Sequence, residues 1–295
     1  MRANKKKRVS IFWIYGIFIL LCLAIIYPFL CVLSVSLSTT ASIKEYGFTV
    51  FPKVIDFSSY AYLFKDPSIL LSAYGTTILV SISGTLIGCI VTSLYAYAIS
   101  RTNFRGRNIL SLIVTFTMFF SGGMSAQYIT YVNILKLKNS IWVLILPTAF
   151  TAMNVIIMRA YYEKLPYSMV ESAKIDGASE YQIFFRIMFP LAKPALATIA
   201  LTLFVGFWNA YYEAMMYMDT GHYVTIQLLL QRMLDKVDFL KNNATSGMLS
   251  AAAAELPSEA MRMAMCVLTV APMLIVFPNF QKYFVKGMAI GSVKE

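Results

Sequence analysis

The sequence has little charge and almost no histidine. Charged residues make up 13% of its 295 residues and hydrophobic residues 59%, whereas soluble domains carry about 25% charged residues. This deficit points to lipid as the surroundings of most of the chain. The one histidine, His222, lies in a polar loop and receives no role, because a histidine-based catalytic triad or zinc site would need more histidines.

The sequence also lacks metal-binding cysteine pairs and a nucleotide-binding loop. Its cysteines lie in apolar stretches without a Cys-x-x-Cys pair, and we interpret them as small packing residues. They are Cys22, Cys31, Cys89 and Cys266. No Gly-x4-Gly-Lys-Ser/Thr string is present, so the chain does not cradle nucleotide phosphates by that route. We therefore expect that this chain itself binds no metal and no cofactor.

Long apolar stretches are abundant. A helix needs about 20 apolar residues to cross the bilayer core, and six stretches meet this length. They cover approximately residues 11–37, 71–100, 108–126, 140–161, 191–218 and 260–280. The last is the weakest, because Arg262 lies near its end and would have to snorkel. We predict an all-α integral membrane protein with six transmembrane helices in one domain, residues 1–295.

The basic residues predict which side of the membrane each loop occupies. Six spans place both termini on one side, together with residues 101–107 and 159–193. This side carries 16 of the 25 lysines and arginines and five of the 14 acidic residues, so it holds the entire net charge of +11. The positive-inside rule makes it the cytoplasmic side. A basic face next to anionic lipid explains the pI of about 9.4 without a nucleic-acid partner.

The second predicted span carries a stripe of small residues. Gly84, Gly88, Thr92 and Ala96 recur at every fourth position. This spacing gives one smooth helical face where another helix can approach closely. We interpret the stripe as a packing feature.

Between the fourth and fifth spans lies a segment with clear helix boundaries. Pro166 suits the first position of a helix that runs to Asp176 and is broken by Gly177. Ser179 and Gln182 have the spacing of a capping box, which starts a second helix. The pattern predicts a helix, a glycine turn and a second helix on the cytoplasmic surface.

The second helix of this segment has an apolar face and ends at a proline. The face is formed by Ile183, Phe184, Ile187 and Met188. We expect Pro190 to close the helix before the fifth span, so the whole loop covers residues 162–190. Periodicity alone also fits an amphipathic hairpin that merely rests on lipid.

The residues of this loop resemble the coupling-loop signature of binding-protein-dependent ABC importer permeases. The motif reads Glu171-Ser172-Ala173-x3-Gly177-x9-Ile187-x-Phe189-Pro190. The family pattern is Glu-Ala-Ala-x3-Gly-x9-Ile-x-Leu-Pro, and the spacing matches throughout. Ser172 stands in place of an alanine and is similar to it in size. Phe189 stands in place of a leucine and is apolar like it.

Further strings look like the carbohydrate-uptake branch of this family, and in particular the smaller of its two permeases. They are Ile175-Asp176-Gly177-Ala178, Pro190-Leu191-x-x-Pro194, Trp208-Asn209 and the ending from Gln281 to Lys294. Two more strings are similar to a subgroup linked to complex or uronate-containing oligosaccharides. These are Ser121-Gly122-Gly123-Met124 and Asn154-x-Ile156-Ile157-Met158-Arg159.

The resemblance implies a type I ABC importer permease whose helix–turn–helix docks into a groove on a cytoplasmic ATPase dimer. ATP and Mg²⁺ would be bound by that ATPase, so this chain would not be an enzyme. The residues to which the resemblance gives a coupling role are Glu171, Ser172, Ala173, Asp176, Gly177, Ile183, Ile187 and Pro190. The other implied partners are a second homologous permease, an extracellular solute-binding protein and an oligosaccharide. The implied location is a bacterial cytoplasmic membrane with both termini inside.

Polar and aromatic residues within the predicted spans are candidates for a substrate pathway. They are Asn154 in span four and Trp208, Asn209, Tyr211, Tyr212 and Glu213 toward the outer half of span five. Aromatic rings stack on sugar faces, and Asn and Glu hydrogen-bond hydroxyls. The same rings also fit an aromatic belt at the outer interface, so both interpretations stay open. Gly122 and Gly123 are further candidates. The outer loop of residues 219–259 would face the solute-binding protein, and residues 251–254 favour a helix.

Two other classes of protein fit less of the sequence. A secondary transporter or channel driven by an ion gradient needs several buried acids or histidines, and only Glu213 qualifies as an intramembrane acid. An intramembrane enzyme needs a metal cluster or a nucleophile motif, and the sequence offers neither. The motif over residues 171–190 therefore favours the ATP-driven importer.

Overall fold

The computed structural model describes residues 2–219, 221, 223–242 and 258–292, and every regular element within these ranges is a helix. His222 and the helix expected over residues 251–254 lie outside the described residues. In chain order the helices are α1 (Arg2–Ser36), α2 (Thr40–Tyr46), α3 (Ser58–Leu63), α4 (Pro67–Ser100), α5 (Arg107–Phe119), α6 (Gly123–Tyr128), α7 (Ile141–Ala149), α8 (Ala152–Lys164), α9 (Ser168–Ile175), α10 (Glu180–Ile183), α11 (Phe189–Leu191), α12 (Lys193–Asn209), α13 (Tyr212–Tyr217), α14 (Ile226–Asn242) and α15 (Ser258–Ser292). Two π-helical turns, Ile129–Ile134 and Phe184–Met188, follow α6 and α10.

Three helices are long and apolar enough to cross a membrane by themselves. They are Trp13–Ser36 within α1, Pro67–Ser100, which is α4, and Glu259–Pro278 within α15. These match the predicted first, second and sixth spans. Two bent pairs pass the same test when each is taken together: α7 with α8, at an angle of 51°, and Glu180–Leu191 with α12, at 78°. The described chain therefore has three to five candidate spans, and six spans stay a prediction.

Three predicted spans are not continuous helices, which corrects the prediction for residues 108–126, 140–161 and 191–218. In the first of them, α5 gives way to extended backbone at Phe120, and α6 begins at Gly123 with a φ of 74°. A positive φ is open to glycine at little cost, so this apolar stretch folds as two short helices.

The break within residues 140–161 follows a proline. Pro147 has no amide hydrogen, and its ring clashes with the carbonyl four residues back. Pro147 nevertheless lies inside α7, which ends two residues later at Ala149, and the backbone is extended at Phe150 and Thr151 before α8 begins. The break therefore comes after the turn that the proline disturbs, in a run whose apolar length suggests one span.

The break within residues 191–218 is capped by side chains. The Asn209 side-chain amide donates a hydrogen bond of 3.0 Å to the Val205 carbonyl, and the Thr225 hydroxyl donates one of 3.3 Å to the Ala210 carbonyl. Backbone carbonyls freed at membrane depth need such partners. The break between α12 and α13 is therefore stabilised by groups placed for it.

The contacts divide the chain into two compact units. The units are Met1–Leu70 with Leu230–Pro272, and Leu71–Leu229 with Met273–Glu295. In the first unit a small apolar cluster is formed by Val35, Ile43 and Ala260. Arg262, which was expected to snorkel, pairs there with Asp238. A single domain over the whole chain stays a prediction.

In the second unit, the glycines of the small-residue stripe allow α4 to approach its neighbours closely. A Cβ atom placed on Gly84 would lie 2.5 Å from the Phe207 ring of α12, and one on Gly88 would lie 2.7 Å from the Ala149 carbonyl of α7. Both distances are too short for a real Cβ contact, so glycine is required at both positions. The predicted packing role of the stripe is confirmed.

Candidate functional site

Residues 162–190, here named the hairpin segment, fold as a helix, a glycine turn and a second helix. Gly177 has a φ of 80°, its amide donates to the Lys174 carbonyl at 3.0 Å, and the Ala178 amide donates to the Ala173 carbonyl at 2.9 Å. These are the two hydrogen bonds of a Schellman motif, in which a glycine in the left-handed region ends a helix. The predicted turn at Gly177 is confirmed.

The predicted capping box is present at the start of α10. The Ser179 amide donates to Oε1 of Gln182 at 2.8 Å, and the Gln182 amide donates to Oγ of Ser179 at 3.3 Å. Two amide donors that the helix leaves unpaired are thereby satisfied. With the Schellman motif immediately before it, this box fixes the geometry of the turn from both sides.

Two boundaries of the hairpin segment differ from the prediction. α9 begins at Ser168 rather than at Pro166. The Pro166 carbonyl accepts a hydrogen bond from the Met169 amide, three residues later, in a turn that precedes the helix. Pro190 does not close the second helix, which continues to Leu191. The π-helical turn Phe184–Met188 comes directly before it, and this wider turn relieves the clash of the proline ring with the preceding carbonyls.

A bend of 78° separates the hairpin segment from α12. Ala192 lies at the bend, and Pro194 occupies the first turn of α12, where no amide donor is needed. The axis of residues 180–191 therefore does not continue that of the fifth span. We treat the hairpin segment as lying outside the membrane-spanning helices.

One face of the hairpin segment is buried in the core of the second unit. Its members are Val170, Ala173, Ile183, Phe184 and Met188. Ile187 packs at the edge of the same core. The predicted apolar face is confirmed, and because it packs against the chain itself, it is not available to rest on lipid.

The opposite face of the hairpin segment is exposed. Ile175 is 86% exposed and Tyr181 76%, and Glu171, Ser172 and Asp176 are exposed beside them. Protein interfaces combine such apolar and aromatic anchors with a polar rim. This face therefore has the composition of a docking surface on an otherwise anchored element.

Polar side chains join the end of α4 to the hairpin segment, which the sequence did not predict. The Tyr97 hydroxyl donates to Oε2 of Glu180 at 2.9 Å and accepts from Nη2 of Arg101 at 3.0 Å. Nζ of Lys174 lies 2.6 Å from Oε1 of Glu180. Burial acts to raise the pKa of the Glu180 carboxyl, but the hydrogen bonds from Lys174 and Tyr97 outweigh it and lower this pKa below its usual value.

Ion pairs join the loops that the charge pattern places on the same side. Glu163, near the end of α8, lies 3.3 Å from Arg107 at the start of α5, and it is also 2.9 Å from Arg159 one turn earlier in α8. On the other side Lys138 lies 3.0 Å from Asp219, and the hydrogen bond to this carboxylate raises the pKa of the lysine. These pairs agree with loops that alternate between the two faces of a membrane.

The predicted pathway residues fall into a buried and a more accessible group. Trp208 and Asn154 are only 3% and 5% exposed. The Trp208 ring stacks on Phe204 with centroids 6.0 Å apart, and the Asn154 side chain donates to the Thr151 hydroxyl at 3.4 Å. These two side chains are packed into the core, so they support the surrounding helices.

The accessible group lies on both sides of the break between α12 and α13. Asn209 and Tyr211 are exposed, whereas Tyr212 and Glu213 are half-buried. The Tyr212 hydroxyl contacts the sulfur of Met124, which belongs to the string of residues 121–124 noted above. The structure thus brings two separately predicted motifs together.

Gln227 also belongs to this accessible group and was missed as a pathway candidate. Its Nε2 donates to Oδ1 of Asn209 at 3.1 Å. The sequence predicts Gln227 as part of the outer loop. Its contact with Asn209 was missed because the two residues are 18 positions apart and lie on either side of a helix break. Among the residues that the structure describes, no group of three or more His, Cys, Asp or Glu side chains is placed to hold a metal ion. The side chains of the accessible group offer hydrogen-bonding groups and aromatic ring faces.

The comparisons with known proteins agree with one another. The family described as "Binding-protein-dependent transport system inner membrane component" matches residues 84–290. Protein LplC of Bacillus subtilis (strain 168) is 38% identical over 269 residues, which cover 91% of this chain and 89% of that protein. The polygalacturonan/rhamnogalacturonan transport system permease protein YtcP of the same organism is 35% identical and covers 98% of this chain and 99% of its own.

A solved structure extends the likeness to three dimensions. It is a crystal structure of a bacterial ABC transporter involved in the import of the acidic polysaccharide alginate, and one of its chains matches with a TM-score of 0.80 at 30% identity. The match covers 96% of this chain and 98% of that chain. The chain therefore belongs to the family of binding-protein-dependent transport system inner membrane components, as a permease subunit of an ABC importer and not as an enzyme.

Proposed function

We propose that this chain forms half of the translocation pathway of an oligosaccharide importer and couples that pathway to a cytoplasmic ATPase dimer. The observation that carries the proposal is the hairpin segment. It has the family's spacing of residues, one face is anchored in the core, and the other face is exposed. An anchored element with a free face can transmit a rigid-body movement.

The coupling residues then take two roles. Four are exposed and would contact the ATPase: Glu171, Ser172, Asp176 and Gly177. Four are buried or half-buried and fix the segment to the core: Ala173, Ile183, Ile187 and Pro190. Ile175 joins the first group, since an apolar side chain this exposed gains free energy when a partner covers it.

The substrate would pass along the outer ends of α12 and α13. Asn209, Gln227 and Glu213 offer hydrogen-bonding groups, and Tyr211 and Tyr212 offer ring faces for sugars. Broken helices at membrane depth are tolerated where they line a cavity, so the break at Ala210 would line the pathway. The buried Trp208 and Asn154 would support the helices that line the pathway.

The proposed substrate is an oligosaccharide that contains uronate residues. One relative is named for polygalacturonan and rhamnogalacturonan, and the matching solved structure imports the acidic polysaccharide alginate. A further relative in Bacillus subtilis is named for arabinooligosaccharides, so neutral sugars are the comparison in the test below.

The complete importer would contain three further components. We infer a second homologous permease, an ATPase dimer that binds ATP and Mg²⁺, and an extracellular solute-binding protein. The chain would lie in the bacterial cytoplasmic membrane with both termini inside, because the side that holds them carries the entire net charge of +11.

The test is sugar-stimulated ATP hydrolysis. The chain is purified from its membrane with the proteins that accompany it and reconstituted in liposomes with the solute-binding protein. We expect an ATPase to co-purify, and its hydrolysis to rise with an oligogalacturonate but not with a neutral oligosaccharide of equal length. A complex without ATPase, or hydrolysis that no sugar changes, would contradict the proposal; stimulation by the neutral sugar alone would contradict only the substrate class.

A further inference from the structure

Tyr97 and Glu180 join two parts of the second unit that are far apart in the chain. Tyr97 lies in the last turn of α4, and Glu180 is the first residue of α10, 83 positions later. α4 is the long helix whose glycine stripe packs against α12 and α7. A contact at its end therefore connects the hairpin segment with the packed helices of the membrane domain.

Tyr97 is held so that its hydroxyl has little freedom. The residue is 7% exposed. Its ring centroid lies 5.1 Å from that of Phe184 in the hairpin segment and 5.8 Å from that of Tyr162 in α8. The Tyr162 hydroxyl in turn lies 2.6 Å from that of Ser93, on α4. The hydroxyl of Tyr97 is thus presented to Glu180 by rings that are themselves fixed.

Arg101 strengthens this contact. Its guanidinium carbon lies 4.4 Å from the centroid of the Tyr97 ring and 5.9 Å from that of Tyr167, just before α9. Because the guanidinium also donates to the Tyr97 hydroxyl, it polarises the O–H bond toward Glu180. A hydrogen bond to a carboxylate is stronger than one between neutral groups.

The three groups line an open cleft of about 450 Å³. The Glu180 side chain is half exposed there, as is that of its ion-pair partner Lys174. Exposed ion pairs contribute little, so Lys174 is a minor member. The directed contact between α4 and the second helix of the hairpin segment is the hydrogen bond from Tyr97.

We propose that Tyr97, Arg101 and Glu180 form a joint that positions the hairpin segment on α4, so that movement of the segment against the ATPase carries α4 with it. This inference rests on the proposed function of the hairpin segment. The three are positioning residues, since none of them lies among the exposed coupling residues or the substrate pathway. The joint predicts a defect in coupling rather than in docking.

The test uses the whole reconstituted complex. Tyr97→Phe keeps the ring packing and removes the hydroxyl. We expect sugar stimulation of ATP hydrolysis to fall about tenfold, the ratio for one lost hydrogen bond to a charged group, with unchanged basal hydrolysis and unchanged ATPase in the complex. Tyr95→Phe is the matched control on the same helix, because the Tyr95 hydroxyl donates to Leu110 of α5 and not to the hairpin segment. This control should retain the parental stimulation.

Substitutions of Glu180 separate positioning from stability. Glu180→Gln still offers an oxygen to Tyr97, but in a weaker neutral hydrogen bond, and should lose less stimulation than Glu180→Ala, which should lose as much as Tyr97→Phe. The double variant Tyr97→Phe/Glu180→Ala should be no worse than either single variant, because both remove the same interaction. If Tyr97→Phe fails to reach the membrane, the variants of Glu180, whose side chain is half exposed, test the joint instead.

Three results would overturn the joint. They are parental stimulation in Tyr97→Phe or Glu180→Ala, an equal loss in Tyr95→Phe, and loss of the ATPase from the variant complexes. The parental complex is measured first. If it shows no sugar-stimulated hydrolysis, the proposed function fails and the joint fails with it, which distinguishes that outcome from a defect confined to the variants.

Discussion

Gly177 is the residue at which the hairpin segment turns, and its backbone is the reason. Its φ is 80°, and a Cβ added there would meet nothing within 4 Å. The cost of a substitution is therefore backbone strain, about 1–2 kcal/mol for a branched residue, and not a clash. Asparagine tolerates this region of the backbone far better than valine does.

This pair of substitutions gives a matched prediction. Gly177→Val should change the aim of α10 and reduce both sugar uptake and the amount of ATPase that co-purifies, at normal membrane levels. Gly177→Asn should stay close to the parental values. Equal uptake by the two variants would show that the left-handed turn does not matter for coupling.

Gly84 illustrates a different requirement, close approach. A Cβ there would lie 2.5 Å from the Phe207 ring, so Gly84→Ala should force the two helices apart at about 1–3 kcal/mol. Gly75 lies on the same helix with nothing within 4 Å, and Gly75→Ala is the control. We expect a lower midpoint of thermal unfolding in detergent for Gly84→Ala only. A lower midpoint in both variants would point to a general effect of the substitution.

The sequence predicted these residues to different degrees. Gly84 and Gly88 were found because their spacing of four is a packing pattern by itself. Gly177 was found from the helix signals on either side. Tyr97 and Glu180 were not found, because their contact spans 83 positions and neither residue is part of a local pattern.

At the scale of the helices, apolar runs were predicted well and their interruptions poorly. α4 and the apolar parts of α1 and α15 lie where expected. The break at residues 120–122 has a local signal, the Gly122-Gly123 pair, within a stretch whose apolar length suggests one span. The break at Ala210 depends on the distant Thr225. Helical periodicity reflects only neighbours along the chain, so it does not predict a cap that a distant residue supplies.

α14 lies within a stretch that the sequence predicts as a loop. It covers Ile226–Asn242, within the outer loop of residues 219–259. Apolar residues at helical spacing were available at its start, with Ile226 and Leu229 buried on one face. The apolar spans on either side are the stronger signal, so the sequence predicts residues 219–259 as one outer loop with a helix only over residues 251–254.

The helix break at Ala210 carries a prediction about the substrate pathway. Glu213 lies half-buried on α13 beside this break. Glu213→Ala should reduce sugar uptake severalfold without loss of the assembled complex, because it removes a hydrogen-bonding group that a sugar hydroxyl would use. The control is Met215→Ala, on the same short helix and exposed. Equal uptake by both variants and the parent would favour an aromatic belt over a pathway.

At the scale of the whole molecule, charge determines orientation. The predicted cytoplasmic side holds all of the net charge of +11, and the ion pairs of Glu163 and of Asp219 join loops of the same side. A reporter that is active only in the cytoplasm should work when fused after Glu295 and fail when fused after Asp219. The opposite pattern would invert the topology.

The family was also predictable from the sequence, because the motif over residues 171–190 combines identity with fixed spacing. The number of spans was harder to predict from the sequence, because three apolar stretches fold as broken helices. The sugar cannot be derived from residue types alone, because Asn, Tyr and Glu side chains suit many hydroxylated ligands. Substrate class therefore rests on the relatives and on the transport assay.

The central claim is that the exposed face of the hairpin segment contacts the ATPase, and proximity measures this most directly. Ile175→Cys places a thiol on that face, and none of the native cysteines lies in the hairpin segment. In the assembled complex, a thiol-reactive photo-crosslinker at this position should join the chain to the ATPase, while the same reagent on Tyr211→Cys should not. A complex that retains its ATPase yet gives no cross-link from position 175, or gives one equally from position 211, would contradict the account.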